Sequence, residues 1–398
     1  MSVYPITIPY LVPDMPAASE LLPFLSELDD TRWYSNFGPL AERLNNQIKE
    51  THFRTHTVHT LLCNSGTAAL ELGLKALKLK PGSQILIPSF TFPASANAVE
   101  NCGFIPVFCD VDPVSWVLTP EIAKAALGYL DFDAVLPVAA LGRPLPAGEW
   151  SRFFAETKIP VLIDAAPALG TQQVAENVHV AYSMHATKAF GIGEGGVLAS
   201  YDGTLIQNAR RHSNFGMDST GMVVTAGTNA KISEYHAAVG LAQIERWQNL
   251  QLKRARIEMA YLNFHRVSAD FWSLQSYSDS SGAPDRLVSL PSRNVRSAMP
   301  VKLHDALKIE IKDVQALLAT KGIETRLWYN PGLHNHGRWQ HCRRIGADGK
   351  SILTVVDHLN NRVIGLPFHN FLAESDIRTV VHGLWQVLES NKISALTR

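Results

Sequence analysis

Several features that would assign a protein to a special class are missing from this chain of 398 residues. It has only four cysteines, with no C-x-x-C pair and no nearby histidine at zinc spacing, so we expect reduced thiols and no metal centre. Its 36 basic residues balance 36 acidic ones, which excludes a global field that would attract nucleic acid or an anionic membrane. Reduced thiols favour a cytoplasmic location.

Long apolar runs are missing as well. No run approaches the roughly 20 residues that span a bilayer. The N-terminal stretch "MSVYPITIPYLVPDMP" lacks a basic segment and is interrupted by proline, which argues against a secretory signal. A hydrophobic fraction of 46% and a charged fraction of 18% are typical of a soluble globular enzyme.

What the sequence does contain is an alternation of short apolar runs and amphipathic stretches from about residue 58 onwards. Runs such as "VHTLLC", "FIPVFCDVD" and "IPVLIDAAPA" predict buried strands, and the stretches between them predict helices. This pattern indicates an α/β fold with a mostly parallel sheet between helices. A long amphipathic helix, beginning near Asn229 or Ser233, leads from a large domain (residues 1–255) to a smaller α+β domain (residues 256–398).

Four features fall where strands of this predicted sheet end, which is where ligands bind in such folds. The first is "SGT" at residues 65–67, between a strand and a helix, where free N–H groups and Gly66 would admit a phosphate. The others are Phe92, Asp164 and Lys188. Each has an ordinary alternative: a helix cap, core packing, a strand-end carboxylate and a solvated turn lysine.

Taken together, the four features match one ligand. A phosphate cup, an aromatic ring, a carboxylate for a protonated ring nitrogen and an amine that forms a Schiff base are what pyridoxal 5′-phosphate requires. The sequence therefore predicts that Lys188, in "SMHATKAFGIGEGG", carries this coenzyme and moves protons.

Over nearly its whole length the chain resembles the DegT/DnrJ/EryC1/StrS aminotransferases, the sugar-aminotransferase branch of fold-type I pyridoxal-phosphate enzymes. The similar segments, in family order, include "NFGPLAERLNNQI", "NSGTAALELGLKAL", "IDAAPALGT", "YSMHATKAFGIGEGGVLAS", "GTNAKISEYHAAVGLAQI" and "GIETRLWYNPGLH".

The resemblance implies roles for individual positions. Lys188 matches the Schiff-base lysine and Asp164 the partner of the pyridine nitrogen. The positions that match coenzyme-binding residues, besides those two, are Gly66, Thr67, Phe92, Ser183 and Asn229. Asn229 matches a residue that reaches the phosphate in the neighbouring subunit, which implies a homodimer with shared active sites. On the substrate side the resemblance implies Arg326, Tyr329 and His334.

The implied reaction moves an amino group from L-glutamate or L-glutamine to a keto-sugar, most often nucleotide-linked, for surface polysaccharide or secondary-metabolite sugars. Cations that could meet a diphosphate are Arg143, Arg210, Arg211, Lys231 and Arg326. Three alternatives stay open: transamination of a cyclitol or another free keto-polyol, a dehydratase-type activity, against which Lys188 argues, and a coenzyme-binding regulator without turnover.

Two positions depart from the family pattern. Pro167 stands where relatives usually carry glutamine or histidine, and Ala139 replaces a common histidine. Both positions are expected to border the coenzyme or the acceptor, so an atypical acceptor is compatible with the sequence.

Overall fold

The computed structural model describes residues 5–53, 57–268, 271–275, 296–346 and 348–396. Within them the larger sheet has eight strands: β1 (His59–Cys63), β2 (Gln84–Pro88), β3 (Ile105–Cys109), β4 (Ala134–Val135), β5 (Val161–Asp164), β6 (Val178–Ser183), β7 (Gly196–Ser200) and β10 (Arg344–Ile345). Their spatial order is β1-β7-β6-β5-β4-β2-β3-β10. Seven strands run in one direction and β7 runs against both of its neighbours.

Helices cover this sheet, as the alternating pattern predicts. The helices before the long connecting helix are α1 (Ala18–Thr31), α2 (Pro39–Ile48), α3 (Gly66–Ala76), α4 (Pro93–Asn101), α5 (Pro120–Ala126), α6 (Ala147–Thr157) and α7 (Gly203–Ser213). All residues of β5, β6 and β7 are buried, which explains why these strands lack a polar alternation. The mostly parallel α/β architecture is thereby confirmed.

The connecting helix α8 (Glu234–Ser268) has 35 residues, about 52 Å at the usual rise of an α-helix. Of the two residues predicted to open it, Ser233 occupies the N-cap position, where its Oγ accepts a hydrogen bond from His236 N at 3.2 Å. Among the described residues, no helix combines the length and apolar character needed to cross a membrane.

A second, antiparallel sheet has the order β11-β9-β8, from β8 (Trp272–Leu274), β9 (Met299–Leu303) and β11 (Val363–Leu366). The remaining helices are α9 (Ile311–Thr320), α10 (Thr354–Asn360) and α11 (Glu374–Leu396). This sheet has its own hydrophobic cluster, which includes Trp272, Met299 and Val380.

The chain between the two smaller-sheet strands β9 and β11 returns to the large sheet. There β10 pairs with β3, and Leu333, Trp339 and Val356 pack in the core of the large sheet. The predicted domain boundary at residues 255 and 256 lies inside α8, because a single helix runs continuously from one core to the other. That boundary stays a prediction.

Candidate active site

Three of the predicted site residues lie at one edge of the large sheet. Asp164 ends β5 and Ser183 ends β6, and in the sheet register Asp164 faces Ala181. Lys188 lies in the loop that follows β6. Because parallel strands end at the same edge, the sheet brings these residues together although they are separated along the chain.

The start of α3 forms a cup for an anion beside Ser183. Ser65 Oγ accepts a hydrogen bond from Ala68 N at 3.0 Å, so the helix itself does not use the earlier N–H groups of Gly66 and Thr67. A Cβ atom at Gly66 would lie 2.6 Å from Ser183 Cβ, and only glycine allows the helix to start this close to β6. Free N–H groups at a helix N-terminus suit a phosphate.

The loop that carries Lys188 is fixed by backbone hydrogen bonds across its base. Ala186 N donates to Gly193 O, and Ile192 N donates to Met184 O, both at 2.8 Å. Lys188 N donates to the carbonyl of His185 at 2.8 Å, which makes a tight turn at the lysine itself. The position of Lys188 is therefore set by main-chain geometry as well as by its own packing.

Asp164 is buried and is held at both carboxylate oxygens. Ser95 Oγ donates to Oδ2 at 2.7 Å, and Ala166 N donates to Oδ1 at 3.0 Å. The Oγ atoms of Ser95 and Thr91 are 2.9 Å apart, which extends the network to a second hydroxyl. The sequence does not predict Ser95 and Thr91 as members of this network, since a serine inside a helix gives no local sign that it faces a carboxylate two strands away.

Burial shifts the pKa of both charged residues towards the neutral form. It raises the pKa of Asp164, which the hydrogen bonds from Ser95 and Ala166 and the Lys188 charge partly offset. Burial likewise lowers the pKa of Lys188, and the Asp164 carboxylate partly offsets this. A buried lysine whose amine loses its proton easily can act as a nucleophile and as a base.

Phe92 and Asn229 both face outwards. The Phe92 side chain is 57% exposed at the start of α4, whereas its neighbour Phe90 is fully buried. Asn229 is exposed, and its carbonyl accepts a hydrogen bond from Asn64 Nδ2 at 3.3 Å. Neither side chain packs in the hydrophobic core, so both can contact a ligand or a second chain.

The three residues implied for the substrate side have separate environments. Arg326 is exposed, with its guanidinium 5.6 Å from the centre of the Tyr10 ring. Tyr329 packs edge-on against Phe90, its hydroxyl accepts a weak hydrogen bond from Leu141 N at 3.4 Å, and burial raises its pKa. These two residues stay predictions for substrate contact.

His334 lies deeper, with only 3% of its surface exposed. Its Nδ1 is 2.7 Å from Ser89 Oγ and its Nε2 is 3.1 Å from Asp357 Oδ1. Burial lowers the pKa of His334 although Asp357 is near. Both ring nitrogens therefore already have protein partners, and a role towards substrate stays a prediction.

The two departures from the family pattern border Asp164. Ala139 is fully buried, and its N–H donates to the Asp164 carbonyl at 2.8 Å. Pro167 follows shortly after Asp164, and its carbonyl accepts a hydrogen bond from Ser297 Oγ. Since neither side chain can donate a hydrogen bond, this side of Asp164 is less polar than a histidine or glutamine would make it.

The cations proposed for a diphosphate also differ in their surroundings. Lys231 Nζ donates to Asn214 Oδ1 at 3.0 Å, and Arg210 stacks 3.6 Å above the Phe37 ring. Arg211 donates to Asn208 and is exposed, and Arg143 is buried. Of these five cations, Arg210, Arg211 and Arg326 are exposed to solvent, whereas Arg143 and Lys231 are buried.

The residues of this edge fit pyridoxal phosphate. Because Gly66 has no Cβ, the N-terminus of α3 lies directly beside Ser183, and its N–H groups are donors that suit a phosphate. Asp164 would offer a buried carboxylate to a ring nitrogen, and Lys188 an amine whose pKa is lowered by burial. Gly66, Thr67, Ser183, Asp164 and Lys188 would hold the coenzyme.

Known structures share this fold. DesI, determined in the presence of its TDP-sugar product, superposes with a TM-score of 0.82 at 27% identity, covering 99% of this chain and 96% of DesI. A likeness of this extent includes both sheets, and it confirms the fold-type I architecture that the sequence predicts.

Curated proteins match over similar lengths. GDP-perosamine synthase of Caulobacter vibrioides is 29% identical over 92% of this chain and 94% of its own length. Protein Rv3402c of Mycobacterium tuberculosis is 28% identical over 94% of this chain and 88% of its own length. The sequence profile of the DegT/DnrJ/EryC1/StrS aminotransferase family matches residues 17–385. The chain belongs to this family and is a pyridoxal-phosphate-dependent aminotransferase.

Proposed function

We propose that this aminotransferase moves an amino group from L-glutamate or L-glutamine to a keto-sugar, in the usual case a nucleotide-linked one. The observation that carries the proposal is that Lys188 and Asp164 lie at one sheet edge, close enough for their charges to interact, beside the N-terminus of α3. A buried amine, a buried carboxylate and a phosphate cup at one sheet edge are the parts that amino transfer requires.

Bound pyridoxal phosphate supplies the aldehyde and the electron-withdrawing ring that amino transfer needs. Lys188 is the proton carrier in this proposal. Burial lowers the pKa of Lys188 and so favours the neutral amine, which would take a proton from the α-carbon of the donor and return one at the neighbouring carbon. In the second half of the cycle, Lys188 moves protons in the reverse sense while the acceptor gains the amino group.

Asp164 and α3 hold the reacting groups in place. The Asp164 carboxylate would keep the ring nitrogen protonated, and Ser95 favours the charged form of Asp164 by donating a hydrogen bond. The N–H groups of Gly66 and Thr67 would bind the phosphate.

The acceptor class is supported by the curated relatives. They include GDP-perosamine synthase, a dTDP-4-amino-4,6-dideoxy-D-glucose transaminase of Escherichia coli (24% identical) and a UDP-2-acetamido-2-deoxy-3-oxo-D-glucuronate aminotransferase of Pseudomonas aeruginosa (25% identical). Their names differ in nucleotide and in sugar, but each contains a nucleotide-linked sugar. The shared element therefore supports a nucleotide-linked keto-sugar here.

We further infer a homodimer with shared active sites. Asn229 lies at the end of an exposed loop in which Met222, Val223 and Val224 each expose more than half of their surface. A second copy that covered this apolar loop would bring Asn229 to the neighbouring phosphate cup. Mixing equal amounts of Lys188→Ala and Asn229→Ala subunits should then restore about a quarter of wild-type activity, because one site in each mixed dimer is intact.

A second acceptor class has its own support. Because Pro167 and Ala139 make the surroundings of Asp164 less polar, a cyclitol or another free keto-polyol remains a candidate acceptor. A panel of nucleotide-linked keto-sugars and free keto-polyols, offered to the aminated enzyme, separates the two classes by which of them is converted to an amine.

The first test concerns the donor half-reaction. Absorbance spectra of the purified, coenzyme-loaded protein are recorded before and after adding L-glutamate, for the wild type, Lys188→Ala and the surface control Lys80→Ala. We expect the visible band to disappear in the wild type and in Lys80→Ala, with 2-oxoglutarate released. Lys188→Ala cannot form the Schiff base, so it should lack this band and release no 2-oxoglutarate. Coenzyme binding without any response to amino donors would contradict the proposal and favour a regulator without turnover.

A further inference from the structure

One buried side chain of α8 connects the Lys188 loop to the N-terminal segment. Gln243 has 1% of its surface exposed, and its Nε2 donates to Gly191 O at 2.8 Å and to Asp14 O at 2.9 Å. Its Oε1 accepts from Arg246 Nη1 at 2.8 Å. The amide therefore uses its donors and its acceptor to join three different parts of the chain.

Asp14 is the next member of this network. Its carboxylate accepts from Arg246 Nη2 at 2.5 Å and from Asn370 Nδ2 at 2.9 Å, and Lys253 Nζ is 3.6 Å away. Burial raises the pKa of Asp14, but the hydrogen bonds from Asn370 and Arg246 outweigh it and leave that pKa below its usual value. The carboxylate is thus a charged junction between α8 and the loop that follows β11.

The N-terminal segment is attached to the smaller sheet and its surroundings. Glu324 N donates to Ile8 O, and Phe368 N donates to Tyr10 O, both at 3.0 Å. Ile8 is buried in the hydrophobic cluster of that sheet. Asp14 therefore joins this attached segment to α8 through Gln243 and Arg246.

At the other end, Gln243 contacts the loop at its tightest point. A Cβ atom at Gly191 would lie 2.6 Å from Ala186 O, so the loop folds directly back on itself there. Backbone bonds fix the base of the loop, whereas Gln243 joins the Gly191 carbonyl to α8. The distance from Lys188 to this anchor is three residues.

We propose that Gln243 is a positioning residue for Lys188. We call the set of Asp14, Arg246 and Gln243 the latch. The latch connects the N-terminal segment and the smaller sheet to the loop that carries Lys188, so the position of the loop depends on theirs. The inference rests on the proposed function only in giving Lys188 its catalytic role. The connection between the latch and the loop is a property of this chain with or without coenzyme.

The test uses hydrogen exchange, measured by mass spectrometry on the full chain without coenzyme. Gln243→Glu keeps the size of the side chain and an acceptor for Arg246 but removes both N–H donors. Asp14→Asn removes the charge from the other end of the latch. Gln248→Glu is the matched control, because Gln248 is exposed on the same helix.

We expect peptides that cover residues 184–195 to exchange about tenfold faster in Gln243→Glu and Asp14→Asn, with the rest of the large sheet unchanged. The double variant should exchange no faster than the more affected single variant, because both changes interrupt one connection. With coenzyme and donor present, kcat of the donor half-reaction should fall about tenfold in Gln243→Glu, while KM stays within about twofold.

Exchange at wild-type rates in Gln243→Glu, or a uniform acceleration throughout the molecule, would overturn the proposal, since the second result is that of an ordinary packing residue. Additive effects of the two changes would also overturn it. If instead the wild type transfers no amino group while the loop still responds to both substitutions, the proposed function fails and the latch stands.

Discussion

The edge of the large sheet and the segment from residue 326 to residue 334 both carry predicted site residues, but they are built differently. At the sheet edge, the parallel strands bring Asp164 and Ser183 together, and the hydrogen-bonded loop after β6 places Lys188 at the same edge. In the 326–334 segment no strand or α-helix fixes the direction of successive side chains: His334 lies in a short 3₁₀ helix (Leu333–Asn335), and Arg326 and Tyr329 lie outside it.

The outcome of that difference is visible in the surroundings of each residue. Arg326 lies in solvent, Tyr329 packs against an aromatic ring, and His334 is enclosed between a hydroxyl and a carboxylate. A residue at a strand end therefore has a predictable position and a predictable side-chain direction. A motif in an irregular segment predicts only that its residues lie near the site. The roles at the sheet edge should accordingly be the more sensitive to substitution.

The largest effect is expected from Asp164→Asn. The amide keeps the shape of the carboxylate but cannot favour a protonated ring nitrogen, so kcat with L-glutamate should fall about 10³-fold, the size typical of removing one charge of a buried pair. The control is Asp131→Asn on the surface, which should retain wild-type kcat. A loss below about tenfold would mean that Asp164 does not face the ring nitrogen.

A smaller effect of the same kind should follow from Ser95→Ala. The hydrogen bond from Ser95 lowers the pKa of Asp164 against the effect of burial, so its removal raises that pKa further. The carboxylate then becomes protonated at a higher pH, and the acid limb of the kcat/KM profile should move up by about one pH unit.

Ser95→Thr keeps the hydroxyl and should restore the wild-type profile. If the acid limb of Ser95→Ala stays in place while overall stability falls, the serine contributes only to packing of α4.

Much of the sheet edge can be predicted from the sequence because it depends on two local features, the apolar runs that form strands and the polar residues near their ends. Apolar runs predict the strands, and polar residues at their ends or in the loop that follows, such as Asp164 and Lys188, fall at the edge wherever the strands are parallel. The start of α8 at Ser233 is predicted for a similar reason, since an N-cap serine acts on its own helix.

The remaining features depend on contacts between distant parts of the chain. β10 pairs with β3 but has only two residues. A run of two residues is too short to show the alternation that predicts a strand. Ser95 lies within α4, and Gln243 within α8, so their function follows from which loop or strand lies opposite. Pairings of this kind are set by tertiary packing, and a single sequence carries no pattern for them.

In the 326–334 segment, His334→Gln distinguishes a packing role from a substrate role. Because both ring nitrogens have protein partners, we expect the free energy of unfolding to fall by about 1–2 kcal/mol, with kcat/KM for donor and acceptor within about threefold of wild type. His341→Gln, at an exposed position nearby, should change neither quantity. A lower kcat/KM for the acceptor at unchanged stability would place His334 at the substrate instead.

The smallest effect concerns two aromatic residues that are separated by one position in the chain. It tests the comparison of the two regions most sharply. Phe92 is exposed at the sheet edge, while Phe90 is buried and packs against Tyr329. If Phe92 stacks on the coenzyme ring, Phe92→Leu should weaken coenzyme binding about threefold to tenfold, with unfolding of the coenzyme-free protein unchanged. Phe90→Leu should instead lower the free energy of unfolding by about 1–2 kcal/mol. Equilibrium dialysis with pyridoxal phosphate and urea unfolding measure the two quantities, and an unchanged dissociation constant in Phe92→Leu would show that its ring does not contact the coenzyme.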